Sequence, residues 1–517
     1  MNLGNIITRA ATYWPDNLAV IDKERRITYR EFEERTNRLA SGLKALGFGE
    51  GTHIGMQGWN CAEMPEIEVA CYKAGFVKVP VNARLSTEET VHVANDGLPV
   101  VFIAGPEHAE ALAKRRDELK SVKYLIGFGT DAGDLSYDEV LAKGSATHEH
   151  ANPDDDATAV LHYTSGSSGV LKAAMQTYGN RRALVRKLAG SPYARIETGD
   201  VLVHVGPVTH ASGKQMMGLF RVGATNLMKD RFDVDDLLRT VEREKVTRLL
   251  LVPTMVNRIV NHPGLDKYDL SSLRSVAYGA APMAPAVIEK AMKVFGPILA
   301  QGYGAGETCS FVTVLNEQDH IDALANNPAR LGSCGRCYFE TDVQVVDDDG
   351  KPVAPGDVGE IVVKGPDVMK GYFNAPEITA ESMRDGVYLT GDLAVVDEEG
   401  YIFIVDRKKE MIISGGFNVY PSEVERVLYR HDAVYEAAVV GVPDEEWGEA
   451  VKAVIVLKPG ASLSEEEAMA YCKENLPGFK RPRSVDFIDE LPKNANGKVV
   501  RREVRDPYWK DHDRKVG

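Results

Sequence analysis

Apolar positions along the chain fall into short runs that alternate with stretches of helical period. Ile6, Ile7, Ala10 and Ala11 share one face of an N-terminal helix. Residues 249–252 form an apolar run stopped by Pro253, and a helical pattern follows. Residues 273–278 repeat the scheme: a run, then Gly-Ala-Ala-Pro-Met, then a helix-like PAVIEKAMKVF whose Pro285 suits a first turn. Residues 298–300 open the next strand. This rhythm predicts an α/β fold, a mostly parallel sheet covered by helices. After about residue 340 the pattern changes. VQVVDDDGKPV and AVVDEEGYIFIV read as hairpins turning at DG and EG. Beyond DRKKEMI a small α+β segment is expected, with strands at 437–442 and 453–457. Its helix starts at Ser464, where Ser464 and Glu467 form a capping box. The boundary falls near 407–409. We therefore expect a large N-terminal domain with a β subdomain (1–407) and a small mobile C-terminal domain (408–517).

Bulk properties narrow the class. A chain of 517 residues needs more than one core. A formal net charge of -15 argues against a broad nucleic-acid surface. No apolar run has the length of a membrane span, and the N-terminus lacks the basic start of a signal peptide. Six cysteines do not make a disulfide scaffold. A cytoplasmic protein is expected, with a homodimer left open. Cys334 and Cys337 are spaced C-x-x-C without a second ligand pair at zinc-site spacing, and read as packing residues.

The strongest chemical signal is Tyr163-Thr-Ser-Gly-Ser-Ser-Gly-Val-Leu-Lys172, led in by the apolar run 159–161. Backbone N–H groups at Ser165, Gly166, Ser167, Ser168 and Gly169, with the hydroxyls of Thr164 and the three serines, can donate to phosphate oxygens. Lys172 adds charge. Alone, the stretch would read as a flexible Ser/Gly turn, and it lacks the Gly-Lys-Ser/Thr ending of a Walker loop. Further along stand GPVTHASG with His210, GAAP at 279–282, GYGAGET at 302–308 and YLTGD ending at Asp392. DRKKEMIISGGFNVYPSEVE starts at Asp406, and PKNANGK ends at Lys498.

With these motifs in this order, nearly the whole chain resembles the adenylate-forming enzymes: acyl-CoA synthetases (fatty-acid or aromatic-acid CoA ligases), luciferases and peptide-synthetase adenylation domains. The resemblance implies ATP, Mg²⁺ and coenzyme A as partners of a small carboxylic acid. In that chemistry a carboxylate attacks the α-phosphate of ATP, so cations and N–H donors must offset the repulsion of two anions. By resemblance, Lys498 bridges carboxylate and phosphate, and Glu307 holds Mg²⁺, a hard cation suited to carboxylate oxygen. Tyr303, between Gly302 and Gly304, stacks on adenine beside Gly279, Ala280 and Ala281. Asp392 takes the ribose hydroxyls and Arg407 meets ribose or phosphate. His210 borders the acid and the thiol route, Gly415 and Gly416 clear a pantetheine arm, and Lys409 is the hinge. Lys480 and Arg481 would meet the phosphates of coenzyme A, with Trp447 against its adenine; a solvated basic turn and a core Trp are the plainer readings.

Two departures stand out. Gly306 occupies a position where the family often has Thr, so Thr308 or water would have to supply that hydroxyl, and Leu171 replaces a common Pro. The segment ASGKQMMGLF carries no acidic residue for an α-amino group, and no carrier domain follows Lys498. These features favour a carboxylate–CoA ligase over a peptide-synthetase adenylation domain; an adenylating enzyme that passes the acyl group to a carrier protein and a catalytically silent binding protein are the alternative readings. The acid pocket is expected among 210–218, 252–255, 278–280 and 302–310. Its small and apolar residues, including Met216, Met217 and Met255, favour an apolar or aromatic acyl group.

Overall fold

The computed structural model describes residues 2–164, 171–190, 195–494 and 498–510. It divides into two compact units. The described residues of 2–164, 171–343 and 363–388 form the first, and those of 344–362 and 389–510 form the second. Among the described residues no helix is long and apolar enough to cross a membrane.

The first unit contains two sheets. In the nine-stranded sheet, Leu18–Asp22, Val201–His204, Thr225–Met228, Arg248–Leu251, Ser275–Gly279 and Leu299–Gly304 pair in parallel, with antiparallel strands at both edges. The seven-stranded sheet is parallel except for its last pair, Thr158–Thr164 with Lys172–Thr177. The mostly parallel, helix-covered reading of the sequence therefore holds. Pro253 and Pro285 each open a helix, Pro253–Val260 and Pro285–Phe295, at a position whose N–H has no helical partner. The N-terminal helix Asn5–Tyr13 buries Ile6, Ile7 and Ala10, while Ala11 is only half-buried. Cys334 packs in the interior as expected; Cys337 instead lies exposed on the edge strand Arg336–Cys337.

The second unit carries the predicted hairpin turns, closed by Gly350 N–H to Asp347 O and Gly400 N–H to Asp397 O, each with its glycine at positive φ. Its C-terminal sheet is built on the long antiparallel pair Val434–Asp444 and Gly448–Leu457, flanked by Ile412–Ser414 and, in parallel, Ser484–Phe487. The helix Glu465–Asn475 begins with the expected Ser464–Glu467 capping box.

Candidate active site

The antiparallel pairing of Thr158–Thr164 with Lys172–Thr177 sets Thr164 opposite Lys172. The expected donors Ser165, Gly166, Ser167, Ser168 and Gly169 lie outside the described residues. Thr164 donates from Oγ1 to Oε1 of buried Glu307 at 2.9 Å, and the Tyr372 hydroxyl donates to the same oxygen at 2.9 Å. Burial, then the charge of Glu307, pushes the Tyr372 phenol up and keeps it a donor. The Lys172 ammonium lies 5.8 Å from the Tyr372 ring centre. Among the described residues no cluster of three or more His, Cys, Asp or Glu could form a dedicated metal cage. One oriented carboxylate does fit Mg²⁺ carried largely by nucleotide oxygens, the usual way this ion is bound.

Six residues expected around adenine meet at two strand ends. Ser275–Gly279 and Leu299–Gly304 run in parallel with Gly279 opposite Gly302. A Cβ on Gly279 would stand 2.5 Å from the Gly302 carbonyl oxygen, so a side chain there would force the strands apart. Ala280 follows in the left-handed region at φ 68°, a strained conformation for a residue with a side chain. Ala280, Ala281 and Gly304 are exposed and Tyr303 is half-buried.

The His210 segment is held from beneath. Asn60 donates to the carbonyls of His204 and Gly206 at 3.0 and 2.8 Å and accepts the Val208 N–H at 2.9 Å. His204 bridges Ser212 Oγ and Asn226 Oδ1, both at 2.8 Å. His210 packs edge-on against His162, with ring centres 5.5 Å apart. Burial lowers both imidazoles, His210 to about 4, so both are neutral near pH 7. They line a water-sized cavity with Lys214, Gln176, Arg181, Lys78 and Glu68. The three methionines expected in the acid pocket pack in cores instead. Met216 and Met217 are fully buried core residues, and Met255 packs at the edge of a second core, because their helices turn these side chains inward. The Gly306 departure also has a cause. A Cβ there would approach His162 Cδ2 and Thr164 Cγ2 to 2.5 Å. Thr308 does not replace the missing hydroxyl, since its Oγ1 accepts from Ala305 N–H at 3.0 Å and donates to Ser310 O at 2.7 Å.

In the second unit, Arg407 Nε pairs with Asp392 Oδ1 at 2.5 Å across the strand pair that sets the two residues opposite each other. Lys498 N–H donates to Asn494 Oδ1 at 3.0 Å, and Asn494 N–H donates to Lys498 O at 2.9 Å, anchoring the backbone of the lysine. Lys498 exposes much of its surface, yet desolvation of its ammonium, followed by the charge of Arg407, lowers its pKa; Asp392 and Glu410 oppose this. Arg501, which the sequence did not single out, ties the Lys498 segment to the DRKKE motif by pairing with Glu410, Glu425 (2.6 Å) and Asp406 (3.6 Å). Lys409 is exposed in a single 3₁₀ turn, Lys408–Glu410.

The residues expected to meet coenzyme A are partly engaged within the chain. Gly415 and Gly416 both have positive φ. A Cβ on Gly415 would meet the Trp447 ring at 2.3 Å, whereas one on Gly416 would meet open space. Arg483 lies 4.2 Å from the Trp447 ring centre, so an adenine on that face would have to displace it. Lys480 pairs with Glu423 at 2.6 Å, and Arg481 donates to Leu476 O at 2.9 Å.

A parallel α/β unit with a strained strand-end turn and an oriented carboxylate, together with a smaller α+β unit presenting a lysine, defines a nucleotide-handling enzyme. The chain belongs to the AMP-binding enzyme family: that family's pattern matches residues 7–373, and the AMP-binding enzyme C-terminal domain matches residues 423–498. It is 40% identical over 506 residues to a feruloyl-CoA synthase from an Amycolatopsis species, covering 97% of this chain and 98% of that one. It is 32% identical over 515 residues to the fatty acid–[acyl-carrier-protein] ligase ScoC of Streptomyces coeruleorubidus, covering 98% and 96%. The ATP-bound MatB structure from Rhodopseudomonas palustris superposes with a TM-score of 0.88 at 30% identity, covering 99% of each chain.

Proposed function

We propose that this enzyme activates a carboxylic acid with ATP and passes the acyl group to coenzyme A. It is an AMP-forming acid–thiol ligase. The carboxylate oxygen forms a bond to the α-phosphorus as the bond to pyrophosphate breaks; the thiol sulfur then attacks the acyl carbon and AMP leaves. The observation that most supports this reading is the grouping of Asp392, Arg407 and Lys498. It offers an acceptor for ribose hydroxyls, a planar cation for phosphate and a partly desolvated ammonium, the set of groups that two approaching anions require. Lys498 is assigned to the transition state of adenylation. Thr164, Lys172 and the 165–169 loop hold phosphate. Gly279, Ala280, Ala281 and Gly302–Gly304 hold adenine. His210, neutral, borders the reacting carbonyl. Glu307 would hold Mg²⁺, which when bound neutralises charge on the phosphates. Thr164 and Tyr372 aim that carboxylate by occupying its Oε1.

The acid proposed is aromatic, supported by the feruloyl-CoA synthase relative. Coenzyme A is approached by Gly416, Lys480 and Arg481, with Gly415 and Trp447 shaping the loop. We place the swing of the chain at the 407/408 boundary, with Lys409 as pivot and 408–517 as the moving domain. A cytoplasmic location is proposed, with light scattering to test a homodimer. The deciding experiment mixes the protein with ATP, Mg²⁺ and an acid panel, then measures pyrophosphate and acyl-CoA. Acid-dependent pyrophosphate with acyl-CoA is expected; no pyrophosphate with any acid would favour a silent binding protein. The carrier-protein reading is favoured by the ScoC relative and by the engagement of Lys480 with Glu423. It predicts pyrophosphate without acyl-CoA until a carrier protein is added.

A further inference from the structure

The cavity beside His210 holds more positive than negative charge. Its lining includes three cations, Lys78, Arg181 and Lys214, against one carboxylate, Glu68. Glu68 is already held by Lys78 at 2.6 Å and Arg181 at 3.1 Å. Lys214, half-buried on the turn Ser212–Gln215, donates from its ammonium to the Ala305 carbonyl oxygen at 3.2 Å. Among the described residues no carboxylate stands within 4.0 Å of it. The chain treats its other enclosed lysines differently. Lys73, Lys78 and Lys187 are the fully buried lysines among the described residues, and each has a carboxylate partner: Glu33, Glu68 and Asp367. An enclosed cation is usually paired directly, whereas Lys214 feels Glu307 and Asp367 only from beyond ion-pair distance. The two imidazoles facing the cavity are neutral and cannot compete for an anion as cations, yet each can offer a hydrogen bond. Lys214 also reaches the strand-end turn that leads to Glu307, through its bond to Ala305.

We propose that Lys214 is the cation of the acid pocket and receives an anionic oxygen of the acid substrate. This rests on the ligase reading above. The oxygen belongs either to the carboxylate about to be activated or to a second acidic group elsewhere on the acid. Lys214 is thus a specificity-determining residue. Its sequence neighbourhood, rich in Gly and Met, concealed it, because only the fold sets it beside His162 and His210.

The test measures pyrophosphate release by the parent, Lys214→Met, Lys214→Gln and Lys214→Arg. The acids are matched pairs, each a simple aromatic acid and its analogue carrying a second carboxylate. Lys214→Gln keeps a donor for Ala305 without the charge, and so serves if the Met variant does not fold. Loss of a charged hydrogen bond predicts an acid KM about 10-fold higher or more in the Met and Gln variants. The KM for ATP should stay within about twofold, and Arg should restore most of the loss by supplying the charge. A rise shared by both members of a pair assigns the activated carboxylate; a rise confined to the two-acid member assigns the distal group. Unchanged acid KM, or equal losses for acid and ATP, overturns the assignment. A parent that releases no pyrophosphate with any acid overturns the ligase reading itself.

Discussion

Gly306→Ala tests the packing beneath Glu307. The added Cβ would stand 2.5 Å from both His162 Cδ2 and Thr164 Cγ2, where ordinary contacts are 3.4–4 Å. About an ångström of movement is needed on each side. His162 is buried and Thr164 ends a strand, so neither has an easy path. Overpacking of this kind costs about 1–3 kcal/mol. Thr164 is also the hydroxyl that orients Glu307, so the displacement reaches the reacting geometry. If the whole cost appears in the transition state, kcat/KM for acid-dependent pyrophosphate release falls about 5- to 150-fold. The partners supply the control: Thr164→Ser removes Cγ2 but keeps the donor, and His162→Ala removes the ring. In that double background, Gly306→Ala should cost less than about twofold, a coupling expected for residues in contact. Equal losses in the parent and double backgrounds would refute the steric account.

Gly416→Leu should suppress acyl-CoA formation while pyrophosphate release continues. Gly416→Ala imposes the same positive-φ strain of about 1–2 kcal/mol without the bulk and should retain thioester formation, as measured by acyl-CoA chromatography. Lys409→Pro should slow thioester formation from supplied acyl-adenylate and spare adenylation, while Lys409→Ala does little. Proline also disfavours the turn conformation of Lys408, so a melting curve accompanies single-turnover mixing. Arg501→Met removes the shared partner of Asp406, Glu410 and Glu425 and leaves buried negative charge unpaired. It should cost about 3–5 kcal/mol of stability in the second unit, read as a lower unfolding midpoint in urea.

Much of this was legible because it is local. Proline at a first helical turn, a Ser–Glu capping box and Asp-Gly or Glu-Gly at a hairpin act through neighbours a few residues away. Pro253, Pro285, Ser464, Gly350 and Gly400 accordingly behave as read. The motif residues were legible by resemblance, and Asp392 with Arg407 meets across a strand pair. What escaped depends on distant segments. Met216 and Met217 looked adaptable, but the fold turns them into the core. Lys214 carries no local sign of a role, and only the fold sets it in one cavity lining with His162. Tyr372, 65 residues from Glu307, carries no local sign that its hydroxyl ends on that carboxylate. The Gly306 departure was read as a lost hydroxyl, whereas the space is taken by His162.

The central claim is that Lys498 serves adenylation and not thioester formation, and the two half-reactions of Lys498→Ala test it most directly. Pyrophosphate release from ATP and acid is measured first, then acyl-CoA formation from supplied acyl-adenylate. Losing one well-placed transition-state donor predicts a fall of about 10²–10³ in the first rate. The second rate should stay near that of the parent. Equal losses in both half-reactions would contradict the account.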